Sequence, residues 1–337
     1  MAEIRVAVIG IGNVGSTFVQ GIDYYRGKNT VGLWHQKIAG LKPADVKVVA
    51  AFDIDPAKVG KSLSQVANEN SKYHSLKDSK VIVAPGILAD KNAKFDNPVK
   101  TSADEFAKAL KKSGAQVVLN LISSGMDKTS LEYAKSALTV RAAFVNATPA
   151  KVATNPALAK KFAASRRVLA GDDLLSQFGG TAFHKGMIDF MVERGVHVDK
   201  SYQLDVGGSA ETQNTMDERI KMLKRSMKTG SIGMEAPYKF ESVAGTTEYT
   251  DFLGDSRNSY YWMSSEGFLG SKIVMDLTLR TNDGPNAGNV LLDVVRATAK
   301  KSKAAKASEV ISAYGFKNPP KQFKIREAYA NFVSMFA

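Results

Sequence analysis

Gly10, Gly12 and Gly15 come directly after the apolar run 6–9, at the head of a stretch in which Val14, Phe18, Ile22 and Tyr25 recur every three to four residues. Glycines so spaced, between a buried strand and an amphipathic helix, build a cradle for the pyrophosphate of a nicotinamide or flavin dinucleotide. Gly10 permits the tight turn, Gly12 lets the backbone approach the phosphates, and Gly15 lets the helix lie close to the strand. Asn13 and Val14 fall in the first helical turn, where free N–H groups and the positive dipole end favour an anion. Residues 46–52 read as a second buried strand ending at Asp53. An acidic side chain there accepts from ribose hydroxyls and disfavours a 2′-phosphate, so NAD is preferred to NADP. Asp53 lies 38 residues beyond Gly15, so an insertion over 27–47 with Trp34, His35 and Pro43 must intervene.

Other residue types invite chemistry with weaker spacing. Ser123 and Ser124 precede Gly125 and a helix starting near Asp127; they suit either phosphate binding or a plain hydroxyl-closed turn. Asp172 and Asp173 are adjacent carboxylates after a strand, readable as helix caps or as site residues. Lys224 and Lys228 are four apart, on one helix face or beside one loop. His184 reads as a helix-packing residue. His35, His74 and His197 have no carboxylate pattern that assigns a metal.

The elements that must position these groups alternate. Strands are expected at 81–84, 116–121, 142–146 and 167–170. Between them come helices opened by Asp55-Pro56, by the capping box Ser102-Ala-Asp-Glu105, by Asp127 and by Asn155-Pro156. Such alternation implies an α/β fold, a Rossmann-type doubly wound parallel sheet, with ligands at the C-terminal strand ends around 120–125 and 146–148. Beyond 170 the texture changes. Segments 201–206, 260–264 and 272–281 read as strands of an inserted α+β domain, and 290–301 as an amphipathic helix returning to the first.

Composition narrows the class. With 46 basic and 33 acidic residues the net charge is +13, but the lysines are spread along the chain, and only Lys300, Lys301, Lys303 and Lys306 cluster. This favours a pull on anionic small molecules over a nucleic-acid arm. The absence of cysteine excludes disulfides, thiolate catalysis and cysteine metal sites. A strand near Met1 and no apolar run of about 18 residues argue against a signal peptide or membrane span, so a soluble cytoplasmic protein is expected.

Further clusters resemble the myo-inositol-1-phosphate synthase family, particularly its actinobacterial and archaeal branch. They are Val8-Ile-Gly-Ile-Gly-Asn13 with 18–25, Val49-Ala-Ala-Phe-Asp-Ile-Asp55 with Lys58-Val-Gly60, and Ala143-Phe-Val-Asn-Ala147. To these add Gly171-Asp-Asp-Leu-Leu-Ser-Gln177, Gln203-Leu-Asp-Val-Gly-Gly208 and Asp283-Gly-Pro-Asn-Ala-Gly288. The resemblance implies a Rossmann domain of 1–172 plus 283–337 interrupted by a catalytic and oligomerisation domain of 173–282, usually as a homotetramer. It implies NAD as cofactor, glucose 6-phosphate as substrate, and a place in inositol and phospholipid biosynthesis. In that reaction C5 is oxidised, the ketone acidifies C6, an aldol step closes the ring and the hydride returns. By the same resemblance Asp172, Asp283 and the glycine loop contact cofactor, while Asp173, Lys224 and Lys228 serve catalysis. Two family lysines are replaced here, by Leu175 in the Gly-Asp-Asp segment and by Thr278 on the strand before Asp283. Lys185, Lys272 and Arg280 are candidates to supply the missing charge. Alternative readings are an enzyme for another phosphosugar or a non-catalytic NAD-binding paralogue. Retention of Asp173, Asp283, Lys224 and Lys228 favours an enzyme.

Overall fold

The computed structural model describes residues 3–91, 97–300 and 303–337. Six strands, β1 (Ile4–Ile9), β2 (Val46–Asp53), β3 (Val83–Pro85), β4 (Val117–Asn120), β5 (Ala143–Asn146) and β6 (Leu169–Ala170), form one parallel sheet in the order 3-2-1-4-5-6. Both faces are covered, so alternate residues of one strand enter different cores. Val6 and Val8 meet one layer, Ala7 and Ile9 the other. The second layer is made by α3 (Ala103–Ser113), α4 (Asp127–Thr139) and α5 (Pro156–Ala164), through Phe106, Tyr133 and Phe162. The first layer holds α1 (Asn13–Tyr24) and α2 (Leu63–Asn70), together with helices from the far end of the chain.

After β6 the chain leaves this sheet through α6 (Gly180–Glu193). It then builds a four-stranded sheet from β7 (His197–Gly207), β8 (Glu241–Tyr249), β9 (Ser256–Glu266) and β10 (Lys272–Asn282) in the order 10-9-7-8. The pairs β10/β9 and β9/β7 are antiparallel, and β7/β8 is parallel. Helices α7 (Ala210–Asn214) and α8 (Glu218–Gly233) cross between β7 and β8. The chain returns through α9 (Asp283–Ala297), α10 (Ala304–Gly315) and α11 (Ile325–Phe336), and α9 packs on α1 through Phe18 and Leu292.

The insertion between α1 and β2 is tied to α9 by a buried ion pair. Arg296, fully buried, bonds Asp293 at 2.6 Å and donates to the carbonyls of His35, Gln36 and Leu41. The other Asp293 oxygen accepts from Tyr314 at 2.7 Å and meets His35 Nδ1 at 2.6 Å.

Two boundaries differ from expectation. Asp55-Pro56 opens a turn, not a helix: the Asp55 side chain accepts from Ala57 N at 2.9 Å, and Gly60 at φ +90 redirects the chain. Helix α2 starts later, on a Ser62/Gln65 capping box. Helix α9, expected over 290–301, begins earlier, at Asp283, and ends at Ala297. Within the lysine run Lys306 pairs with Glu309, while Lys301 lies outside the described residues. Among the described residues no helix is long and apolar enough to cross a membrane, and no group of three His, Asp or Glu could hold a metal ion.

Candidate active site

A cavity of about 400 Å³ opens at the C-terminal ends of β1, β4 and β5, where the strand order reverses, and runs to the face of the second sheet. Its floor is the glycine loop. Gly10 adopts φ +85, and a Cβ there would lie 2.9 Å from the Leu121 carbonyl. At Gly15 a Cβ would lie 2.5 Å from the Gly10 oxygen, so α1 reaches its packing distance only without a side chain. Gly12 differs, because a Cβ there meets no protein atom within 4 Å and would project into the cavity. Protein packing therefore does not demand glycine at 12, whereas a ligand lying on the backbone does. No side chain caps the N-terminus of α1 and its first turn carries no acidic residue, so its N–H groups suit a pyrophosphate. Asn13 also lines the cavity and donates to Asp255 at 2.9 Å.

Asp53 ends β2 beside this loop. Its carboxylate accepts from the N–H of Ile11 at 2.8 Å, Ile54 at 2.8 Å and Asp55 at 3.0 Å, with Lys58 Nζ 3.7 Å away. It braces the loop from behind, while Lys58 and Asn70 line the cavity at that end. Ser123 is exposed on the wall, but Ser124 is buried and donates both its N–H and its hydroxyl to Glu211 of α7. Ser124 thus ties the segment after β4 to α7, and its hydroxyl is not open to a phosphate.

The paired aspartates separate. Asp172 is fully buried behind the wall: Asn146, Val152, Ala153 and Thr154 all donate to it, at 2.7 to 3.1 Å. Burial raises its carboxyl to about 6 despite those donors. It organises the 150–154 turn and does not face the cavity. Asp173, held at φ +61, does face it. Its Oδ1 accepts from Lys317 at 2.7 Å and its buried Oδ2 has no partner among the described residues.

The cations arrive from three elements. Lys224 and Lys228 lie on one face of α8, as their spacing predicts, and both line the cavity. Lys224 donates to Glu211 and, at 3.0 Å, to Thr215. Lys228 donates to Asp205 at 2.7 Å. Arg257 on β9 clasps Asp283 with bonds of 2.6 to 3.0 Å and stands 3.7 Å from Asp205. Burial would raise the Asp205 carboxyl, but Lys228 and Arg257 together hold it well below its ordinary range. Burial lowers the Lys228 amine, because one carboxylate faces it while Arg257 and Lys317 repel its charge.

Leu175 lines the cavity at 7% exposure, where the resemblance led one to look for an ammonium. Thr278 is exposed on β10 and does not line it. The candidate replacements fail as well: Lys185 is buried against Glu235 at 3.0 Å, and Lys272 and Arg280 are exposed on β10. The added positive groups are Arg257 and Lys317, which sequence reasoning missed. Lys317 follows α10 by two residues, and Arg257 stands beside β10 only through the register that pairs it with Thr281.

The sequence pattern of the family described as Myo-inositol-1-phosphate synthase matches residues 179–284. The chain is 34% identical to inositol-3-phosphate synthase of Mycolicibacterium smegmatis, covering 95% of this chain and 94% of that protein. It is 32% identical to the inositol-3-phosphate synthase of Mycobacterium tuberculosis over 95% and 92%. A crystal structure of a myo-inositol-1-phosphate synthase-related protein from Thermotoga maritima, 22% identical, shares the fold with a TM-score of 0.80 over 98% of this chain and 97% of that one. With identity sustained along nearly the whole length of its relatives, the chain belongs to the myo-inositol-1-phosphate synthase family.

Proposed function

We propose that this chain is an NAD-dependent isomerase converting glucose 6-phosphate to 1D-myo-inositol 3-phosphate, with no net redox change. The observation that carries this reading is a single cavity in which the Gly12 to Gly15 cradle faces Lys224, Lys228, Arg257 and Lys317. NAD held on that cradle supplies a hydride acceptor for the C5 oxidation and a donor for the final reduction. Lys228, its amine lowered by burial, is suited to take the C6 proton that the neighbouring ketone acidifies. Arg257 and Lys317 supply positive charge where the enolate and the new alkoxide oxygens develop during closure of the C6–C1 bond. Lys224, Arg257 and Lys317 are each fixed beforehand by a carboxylate, and Asp205 likewise orients the Lys228 amine without substrate. The buried Oδ2 of Asp173 lacks a partner among the described residues, which supports a hydrogen bond accepted from a substrate hydroxyl or carboxamide N–H.

The test is incubation of the protein with NAD and carbon-13-labelled glucose 6-phosphate, with no added oxidant, followed by NMR. Inositol phosphate is the expected product. Leu175 favours a second reading, a different phosphosugar, because an apolar side chain cannot stabilise a developing oxyanion. Absence of inositol phosphate together with a change in nicotinamide absorbance on adding another phosphosugar would select it. No response to any phosphosugar would leave a non-catalytic NAD-binding paralogue.

We further propose division into a cofactor domain of 1–172 plus 283–337 and a catalytic domain of 173–282, assembled as a homotetramer. Supporting the assembly are the exposed neighbours Tyr202, Leu204 and Tyr260 on the outer face of the second sheet, with exposed Val274 on the same face further along β10.

A further inference from the structure

At the opposite end of the six-stranded sheet lies a second cavity, of about 520 Å³, between the starts of β1, β4 and β5. Arg5, Lys111, Arg141, Arg166, Arg167 and Lys300 line it, against one carboxylate, Glu3. Two of these cations are engaged: Arg5 Nε donates to the Gly114 carbonyl at 2.8 Å, and Lys300 donates to the Met335 carbonyl. The side chains of Lys111, Arg141, Arg166 and Arg167 have no hydrogen bond or ion pair among the described residues. Arg167 Nε is buried and still lacks a partner. A buried donor left unmade is costly and calls for an acceptor.

Helices α3, α4 and α5 all end here, and helix C-termini attract cations. That attraction accounts for positive charge near these ends, with Arg141 and Arg166 exposed, but it leaves the buried Arg167 Nε without an acceptor among the described residues. The backbone gives a second, independent indication. After α3 the left-handed position is Gly114, at φ +65. After α4 and α5 the same position is occupied by Arg141 at φ +59 and Arg166 at φ +53. Both close the same turn, with Ala142 N donating to the Ala137 carbonyl and Arg167 N to that of Phe162, each at 2.9 Å. Glycine is preferred at this position. The chain twice accepts a strained backbone that presents a guanidinium to one cavity.

We propose that this cavity binds a small molecule carrying three or more phosphate groups, held by the planar forks of Arg141, Arg166 and Arg167. The inference does not depend on the proposed reaction. The test is calorimetric titration of the full chain, with NAD present at about 0.15 M salt, using inorganic tripolyphosphate and ATP as probes. Arg141→Gly/Arg166→Gly relieves both strained residues, so its melting temperature without ligand should equal or exceed that of the natural chain, while affinity falls at least about tenfold. Lys272→Ala/Arg280→Ala, which removes equal charge from β10, and Lys228→Met, in the first cavity, should leave affinity within about twofold if the site is local. Tighter binding of ATP identifies a nucleotide as the source, and equal binding a polyphosphate chain. Unchanged affinity in the glycine variant, no binding to the natural chain, or a short DNA duplex that binds more tightly than either probe and loses binding in that variant overturns the proposal.

Discussion

Replacing Lys228 by methionine tests the proposed chemistry most directly. Lys228 and Asp205 are both almost fully buried, and their 2.7 Å contact is worth about 6 kcal/mol of gross attraction at an effective dielectric constant near 20. Asp205 does not become isolated when the amine is removed. Arg257 at 3.7 Å retains about 4 kcal/mol on the same scale, and Ser259 and Gln203 go on donating at 2.6 and 2.8 Å. Removing the amine also relieves its own desolvation and its repulsion by Arg257 and Lys317, which together outweigh the help it receives from Asp205. The expected loss of stability is therefore about 1 to 2 kcal/mol, below the 3 to 5 usual for breaking a buried pair. Activity should fall much further, by about 10² to 10³ or more, since a proton carrier and a charge near the reacting oxygens go together. Steady-state kinetics of inositol phosphate formation, a thermal melt and an NAD titration read the three quantities separately. In the natural enzyme the rate should fall as pH drops through the lowered amine pKa, and Lys228→Arg, which keeps the charge but cannot release its proton, should stay inactive. Activity within about threefold of the natural chain in the methionine variant would refute the reasoning; so would NAD binding lost in parallel with activity.

Gly12 and Gly15 should separate in their effects. Gly12→Val should abolish NAD binding and leave the cofactor-free melting temperature unchanged, whereas Gly15→Ala should destabilise the fold by about 2 to 4 kcal/mol, because its Cβ meets the Gly10 oxygen at 2.5 Å. Titration should also give tighter binding of NAD than of NADP, and equal affinities would contradict the ribose contact that the sequence leads one to expect of Asp53. Burial pushes the His184 imidazole down to about 4, below its unfolded value of 6.5, so its contribution to stability is complete above 6.5 and is lost as pH falls through about 4. His184→Gln should flatten the denaturation midpoint over that window, and a ring seen by NMR to titrate near 6.5 would overturn the assignment. Light scattering should report four subunits, and a monomer at micromolar concentration would reject the tetramer.

What the sequence by itself determined is local. The glycine loop, the strand ending at Asp53, the Ser102/Glu105 box and the Asn155 cap depend on neighbours within a few residues, and the structure has each of them. The spacing of Lys224 and Lys228 allowed one helix face or one loop, and the structure has the helix face. Strand β8 left no comparable trace: it is a parallel strand with a register shift opposite Gln203 and a glycine at φ +94, so no alternation marks it. The charge distribution of the site was also beyond the sequence. Nothing near Arg257 announces Asp283, and nothing near Lys317 announces Asp173, which lies 144 residues earlier. The adjacent aspartates look alike in sequence, yet one is enclosed by five donors and the other faces the cavity. Only the tertiary structure decided these points, because a charge is fixed by the partners and solvent around it. Strand register and the return of the C-terminal helices bring those partners together, and short-range sequence pattern records neither.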